Sequence, residues 1–326
     1  MRHSDATSPR GPLVVFPGAL GDFVCLVPAL EETRARHSRP PTLLCKGDLA
    51  PLARVTGIAE AEPIEDRQAS WLFSPAPPPE ADTFFGGFAS IESLTGKGVP
   101  EVERNLARWQ GLRGRVHSFR PLEPMHLARH FLRCVAPEED WLEVPEPRLS
   151  LPENVVARHA PSVASEGPPL LVVHPGSGGR AKRWSRTGFA EIARRSVGRG
   201  RGVVILLGPA EGAEAGEWRQ PGVRVVVELD LVAVAALLAA CDVYLGNDSG
   251  VSHLAGAVGA RGVALFGPTD PQCWRPLSRR IAALCIAPWH RYEEGVSAAA
   301  VDTVDRALAA EVGTLPARLD KVGPRH

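Results

Sequence analysis

Short runs of consecutive apolar residues alternate with longer amphipathic stretches along this 326-residue chain. Leu13-Val14-Val15-Phe16 has the unbroken apolar character of a strand buried on both faces, and a glycine-containing turn leads from it into a helix. Thr42 to Cys45 repeats the strand pattern, and Asp48 stands where it would cap a helix ending near Gly57. The prolines between Ser74 and Pro79, followed by the glycines and aromatics of Phe84 to Ser90, predict an irregular loop facing a cleft. Leu127, His130, Phe131 and Cys134 recur at helical spacing, and Pro137, Pro145, Pro147 and Pro152 then predict a connection with little regular structure.

The second half is patterned more sharply. After Glu166-Gly167-Pro168-Pro169 comes a buried strand, Leu170 to Val173, then a Gly-rich turn and a helix with Phe189, Ile192, Ala193 and Val197 on one face. Strands Val203–Leu207 and Val223–Val227, an apolar helix Leu231–Ala240, strand Val243–Leu245, a helix from Ser249 to Val258 and strand Gly262–Phe266 follow. Strands alternating with helices at this spacing predict parallel sheets covered on both faces. The expectation is therefore an α/β chain of two Rossmann-like units, with ligands beyond the carboxyl ends of the strands, where two such ends can face each other across a cleft.

Composition narrows the function classes. Thirty-seven basic residues balance 37 acidic ones, so no bulk field gathers nucleic acid or a membrane surface, and any anion site must be local. The six cysteines form no CxxC pair, which signals neither a zinc site nor a disulfide framework and suits a reducing cytoplasm. The apolar opening strand is cut at once by Pro17, Gly18, Gly21 and Asp22, unlike a signal peptide. The longest apolar run, Leu231 to Cys241, is about half a membrane span. A protein at most peripheral to a membrane is expected.

Three turns could carry chemistry. In Pro17-Gly18-Ala19-Leu20-Gly21-Asp22-Phe23 the glycines admit a ligand to the backbone, and a helix start offers N–H groups to an anion. Asp22 would repel a phosphate there, so it reads either as a general base for a hydroxyl or as a helix cap. The GxGxxG of a dinucleotide fold is missing. His174-Pro175-Gly176-Ser177-Gly178-Gly179-Arg180-Ala181-Lys182-Arg183-Trp184 supplies glycines, a hydroxyl and cations at a βα junction, which is what a diphosphate requires. Between Arg180 and Arg201 eight basic residues face one acid, Glu191; most read as a solvated helix face, whereas Lys182 adjoins the glycines. In Gly246-Asn247-Asp248-Ser249-Gly250-Val251-Ser252-His253, Asp248 or Ser249 can cap a helix, Gly250 leaves N–H groups open to phosphate, and His253 reads as a ligand contact or a polar filler. Phe266-Gly267-Pro268-Thr269-Asp270-Pro271 reads as a turn.

Jointly, from about Val14 to Pro276, these motifs resemble glycosyltransferase family 9, the heptosyltransferases; HPGSGGRAKRW, GNDSGVSHLAGAVGARGVALFGPTDP and HLARHFL carry the likeness. The resemblance implies a GT-B fold, inverting transfer without a metal, and no cofactor, the nucleotide-sugar donor (ADP-heptose) being a substrate. Its domains would be a disordered tail over 1–11, an acceptor-side domain over 12–150, a linker over 151–169, a sugar-nucleotide domain over 170–310, and a tail over 311–326 that could pack back on the first domain. It makes Asp22 the catalytic base and assigns donor binding to Ser177, Lys182, Glu211, Leu229, Asp248, Ser249, Gly250 and His253. The partners implied are the donor and a glycan or lipid-linked acceptor, with no nucleic acid. The place implied is the cytoplasm, with at most peripheral contact at the inner face of the inner membrane. Pro17 and Ser185 depart from the family's pattern. A nucleotide-sugar epimerase, a non-catalytic sugar-nucleotide-binding relative and an NAD-dependent oxidoreductase are the rival readings.

Overall fold

The structure, a computed structural model, describes residues 10–159 and 169–313. Residues 1–9 of the expected N-terminal tail, 160–168 of the expected linker and 314–326 of the expected C-terminal tail lie outside the described residues.

The first half forms β1 (Leu13–Val15), α1 (Leu20–His37), β2 (Thr42–Cys45), α2 (Ala50–Val55), β3 (Glu60–Pro63), α3 (Arg67–Ser70), α4 (Pro79–Gly86), β4 (Ile91–Ser93), α5 (Pro100–Gln110), β5 (Gly114–Val116) and α6 (Leu127–Val135). After α7 (Glu153–His159) come β6 (Leu170–His174), α8 (Arg186–Gly198), β7 (Gly202–Leu207), β8 (Val223–Val227), α9 (Leu231–Ala240) and β9 (Val243–Asn247). The chain continues with α10 (Gly250–Ala257), β10 (Gly262–Phe266), α11 (Pro271–Trp274), β11 (Ile281–Cys285) and α12 (Ala298–Gly313).

Two parallel sheets result, ordered β3-β2-β1-β4-β5 and β11-β10-β9-β6-β7-β8. In each, the strand order reverses once, between β1 and β4 and between β6 and β9, and loops beyond such a reversal splay apart to leave a crevice. Strands β1, β6, β9 and β10 are buried along their whole length because helices cover both faces, which is why they read as unbroken apolar runs.

One apolar cluster runs from Val14, Val24 and Leu26 of the first unit to Leu238, Leu254 and Val172 of the second. Helix α1 packs against both α6 and α10, so the helices that follow the two central strands meet face to face. Their N-terminal turns consequently open onto the same space.

Of the segment expected to be an irregular loop facing the cleft, residues 74–78 are irregular, whereas Pro79–Gly86 form a helix and Phe85 and Phe88 join the core. Proline's fixed φ suits a first helical turn, so Pro79 opens α4 rather than breaking structure. Phe85 and Phe88 are buried on the face of the first sheet opposite α1, with Phe85 stacked on Trp109 at 4.3 Å. Asp48 is not the cap of α2, which begins after Leu49. Strand β11 was not expected from the pattern, its burial being mixed rather than continuous.

Candidate active site

The turn after β1 is fixed by steric crowding. A Cβ on Gly18 would lie 2.3 Å from the Phe16 ring and 2.9 Å from the Asp22 Cβ, so only glycine fits. Asp22, in the first turn of α1, accepts the Ala19 backbone N–H through Oδ2 at 3.2 Å, which satisfies one of the helix's unpaired donors. The capping role is thus real, and it leaves the other oxygen available. Oδ1 accepts from Arg120 Nη1 at 2.9 Å.

Across the gap, the glycine loop after β6 is pinned by Asn247 at the end of β9. The Asn247 amide donates to the Pro175 carbonyl at 2.8 Å, and its oxygen accepts the Trp184 N–H at 3.0 Å, so one side chain holds both ends of the loop. Trp184 itself is fully buried against Phe189. Ser177 donates to the Asp248 carbonyl at 2.8 Å. Lys182 Nζ lies 2.9 Å from the buried Asp248 carboxylate, which also accepts from Thr269 Oγ1 at 2.8 Å. Of the two candidate caps for α10, Ser249 is the one used: its hydroxyl accepts the Ser252 N–H at 3.4 Å.

Gly250 and Gly21 explain each other. A Cβ on Gly250 would stand 2.7 Å from the Gly21 nitrogen, and one on Gly21 would stand 3.2 Å from the Gly250 Cα. Both residues lack side chains because the first turns of α1 and α10 touch there.

His253 is buried beside this contact. Its Nε2–H donates to the Trp274 carbonyl at 3.1 Å, which leaves Nδ1 to accept from the Cys25 thiol at 3.7 Å. Burial, followed by the nearby His126, pushes its pKa down to about 4, so the ring is neutral and brings no positive charge to a phosphate. The same burial raises the Cys25 thiol, so the pair is a neutral hydrogen bond rather than an activated nucleophile.

This sets a pH dependence. The folded chain binds the His253 proton more weakly than the unfolded chain, so the associated stability is present above about pH 6.5 and is lost as pH falls toward 4. The loss across that window is at most roughly 3 kcal/mol. Chemical denaturation at about pH 7 and about pH 4.5 is expected to show a smaller acid-induced loss for His253→Gln than for the wild type; equal losses would contradict the assignment.

Asp22, Ser177, Lys182, Asp248, Ser249, Gly250 and His253 line one cavity of about 270 Å³, together with Arg120, Cys25 and Trp274. Glu211 and Leu229 do not line it. Glu211 is buried near Gly176, its carboxylate 2.5 Å from Arg183, and Leu229 packs at the margin of the main core. Arg120 has no local signal in the sequence: it lies in a stretch without helix or strand and reaches Asp22 across 98 positions. Trp274 follows a turn that read as structural and likewise carries no local signal. Among the described residues no group of three or more His, Cys, Asp or Glu could hold a metal ion. Nor is any helix among them long and apolar enough to cross a membrane.

Two parallel sheets whose switch-point loops meet over a cavity lined by a carboxylate from one unit and a cation-bearing glycine loop from the other define a GT-B architecture. The model of glycosyltransferase family 9 (heptosyltransferase) matches residues 121–298. Lipopolysaccharide heptosyltransferase 2 of Salmonella typhimurium is 35% identical over 148 residues, a match spanning 42% of this chain and 42% of that protein's own length. Among solved structures, E. coli ADP-heptose lipopolysaccharide heptosyltransferase II superposes with a TM-score of 0.73 at 20% identity, over 93% of this chain and 98% of that one. An E. coli heptosyltransferase solved with ADP-2-deoxy-2-fluoro heptose gives 0.61 at 18% identity, over 90% and 98%. The chain belongs to glycosyltransferase family 9.

Proposed function

We propose that this chain is an inverting, metal-independent glycosyltransferase that moves heptose from ADP-heptose to a glycan or lipopolysaccharide-core acceptor. One observation carries the reading: Asp22 and the Lys182–Asp248 pair, from opposite units, border a single cavity large enough for a sugar ring. The family and the donor-like ligands of its solved relatives support the choice of donor.

The acceptor hydroxyl docks beside Arg120 and passes its proton to Asp22 as its oxygen attacks the anomeric carbon. The bond from that carbon to the diphosphate breaks on the opposite face, and ADP departs. Lys182, the Ser177 hydroxyl once turned from the Asp248 carbonyl, and the unpaired N–H groups at the start of α10 meet the charge growing on the leaving group. Glu211 and Leu229, outside the cavity, are assigned to the nucleoside end of the donor. The proposal places the protein in the cytoplasm, meeting a lipid-linked acceptor at the inner face of the inner membrane.

A thermal-shift comparison of ADP-heptose, GDP-mannose and UDP-glucose tests it, because a ligand at ~100-fold its dissociation constant adds about 2.7 kcal/mol to stability. Stabilisation by ADP-heptose alone is expected, with donor consumption that depends on added acceptor. Epimerised donor appearing without acceptor would replace this reading with the epimerase one.

A further inference from the structure

We infer that Trp274 is a specificity-determining residue whose indole face stacks on the transferred sugar; the inference rests on the donor reading above. Trp274 carries the one indole, phenyl or phenol ring among the residues lining the cavity. At 36% of its surface it is the one exposed tryptophan among the described residues, where Trp109, Trp184 and Trp218 are buried and Trp71, Trp141 and Trp289 partly so.

The backbone around it is held from both units. His253 of α10 donates to the Trp274 carbonyl at 3.1 Å, and His126, at the start of α6, donates to the next carbonyl, Arg275, at 2.9 Å. Asp270 accepts the Gln272 N–H at 2.9 Å and fixes the start of the same short helix. An exposed ring on so constrained a backbone is preorganised for a ligand rather than left over from packing.

The ring's electronics name the ligand class. Arg120 lies 5.3 Å from its centroid and Lys182 5.8 Å, so the ring adjoins both the cation beside the base and the cation of the glycine loop. In the proposed reaction the sugar occupies the space between those two groups. Its C–H-bearing face carries the slight positive polarity that an indole face attracts, while its hydroxyls stay at the rim. A diphosphate drawing Lys182 toward itself would leave the indole to the sugar. The nucleobase is assigned elsewhere, to Glu211 and Leu229, outside this cavity.

Calorimetric titration of the full chain with ADP and with ADP-heptose, for wild type, Trp274→Phe and Trp274→Ala, tests the inference. The wild type is expected to bind ADP-heptose more tightly than ADP. Trp274→Ala should lose about tenfold for ADP-heptose and little for ADP, and Trp274→Phe should recover most of the loss. Equal weakening of both ligands would mean that the ring meets the nucleotide, and unchanged binding would mean that it meets neither; each overturns the inference while leaving the donor reading intact. A wild type that binds neither ligand overturns both.

Discussion

Replacing Asp22 with asparagine is expected to lower kcat by ~10²–10⁴-fold with little change in folding or in ADP-heptose affinity. The substitution separates the two jobs this side chain performs. Asn keeps an oxygen able to accept the Ala19 N–H, so the start of α1 keeps its bond. It has no basic carboxylate to take a proton from an acceptor hydroxyl. Arg120 loses its charged partner, but it is about half exposed and water can solvate it, so a large stability change is not expected. Steady-state kinetics beside thermal denaturation of the same preparation check the outcome. Near wild-type turnover in a folded variant would remove Asp22 from catalysis, whereas a collapse in melting temperature would make the cap its main contribution.

How far the chain could be read in advance follows from where each signal resides. The strands β1, β2, β6, β7 and β10 were legible because burial on both faces leaves a local apolar run. The glycine loop, Lys182 and the turn around Ser249 were legible for a similar reason: glycines, a hydroxyl and a cation at a βα junction, or a capped helix start, declare themselves within a dozen residues. Arg120 and Trp274 were not, because their place beside Asp22 and Lys182 is set by how two separate sheets pack. The misread segment around Pro79 shows the converse limit. Proline marks both loop and first helical turn, and what decided between them was Trp109, twenty-four residues beyond Phe85, offering that ring a stacking partner. His253 was not legible either: the sequence left it open as ligand contact or filler, and its two ring nitrogens are taken up by the Trp274 carbonyl and the Cys25 thiol.

Lys182→Ala is expected to lower kcat by ~10²–10³-fold and to weaken ADP and ADP-heptose alike, because the charge it would meet belongs to the diphosphate and grows as the bond to the sugar breaks. The reading is complicated by Asp248. That carboxylate is buried and, among the described residues, keeps only Thr269 Oγ1 as a side-chain partner once Lys182 is gone, so the single variant should also be destabilised. Adding Asp248→Asn removes the stranded charge. The double variant is therefore expected to regain stability without regaining turnover, and Lys182→Arg, which keeps a cation on the loop, to keep part of both. Recovery of turnover along with stability in the double variant would show that Lys182 serves only to neutralise Asp248. The leaving-group charge would then have to be met by Ser177 and the N–H groups at the start of α10, where Gly250 and Gly21 are already packed against each other.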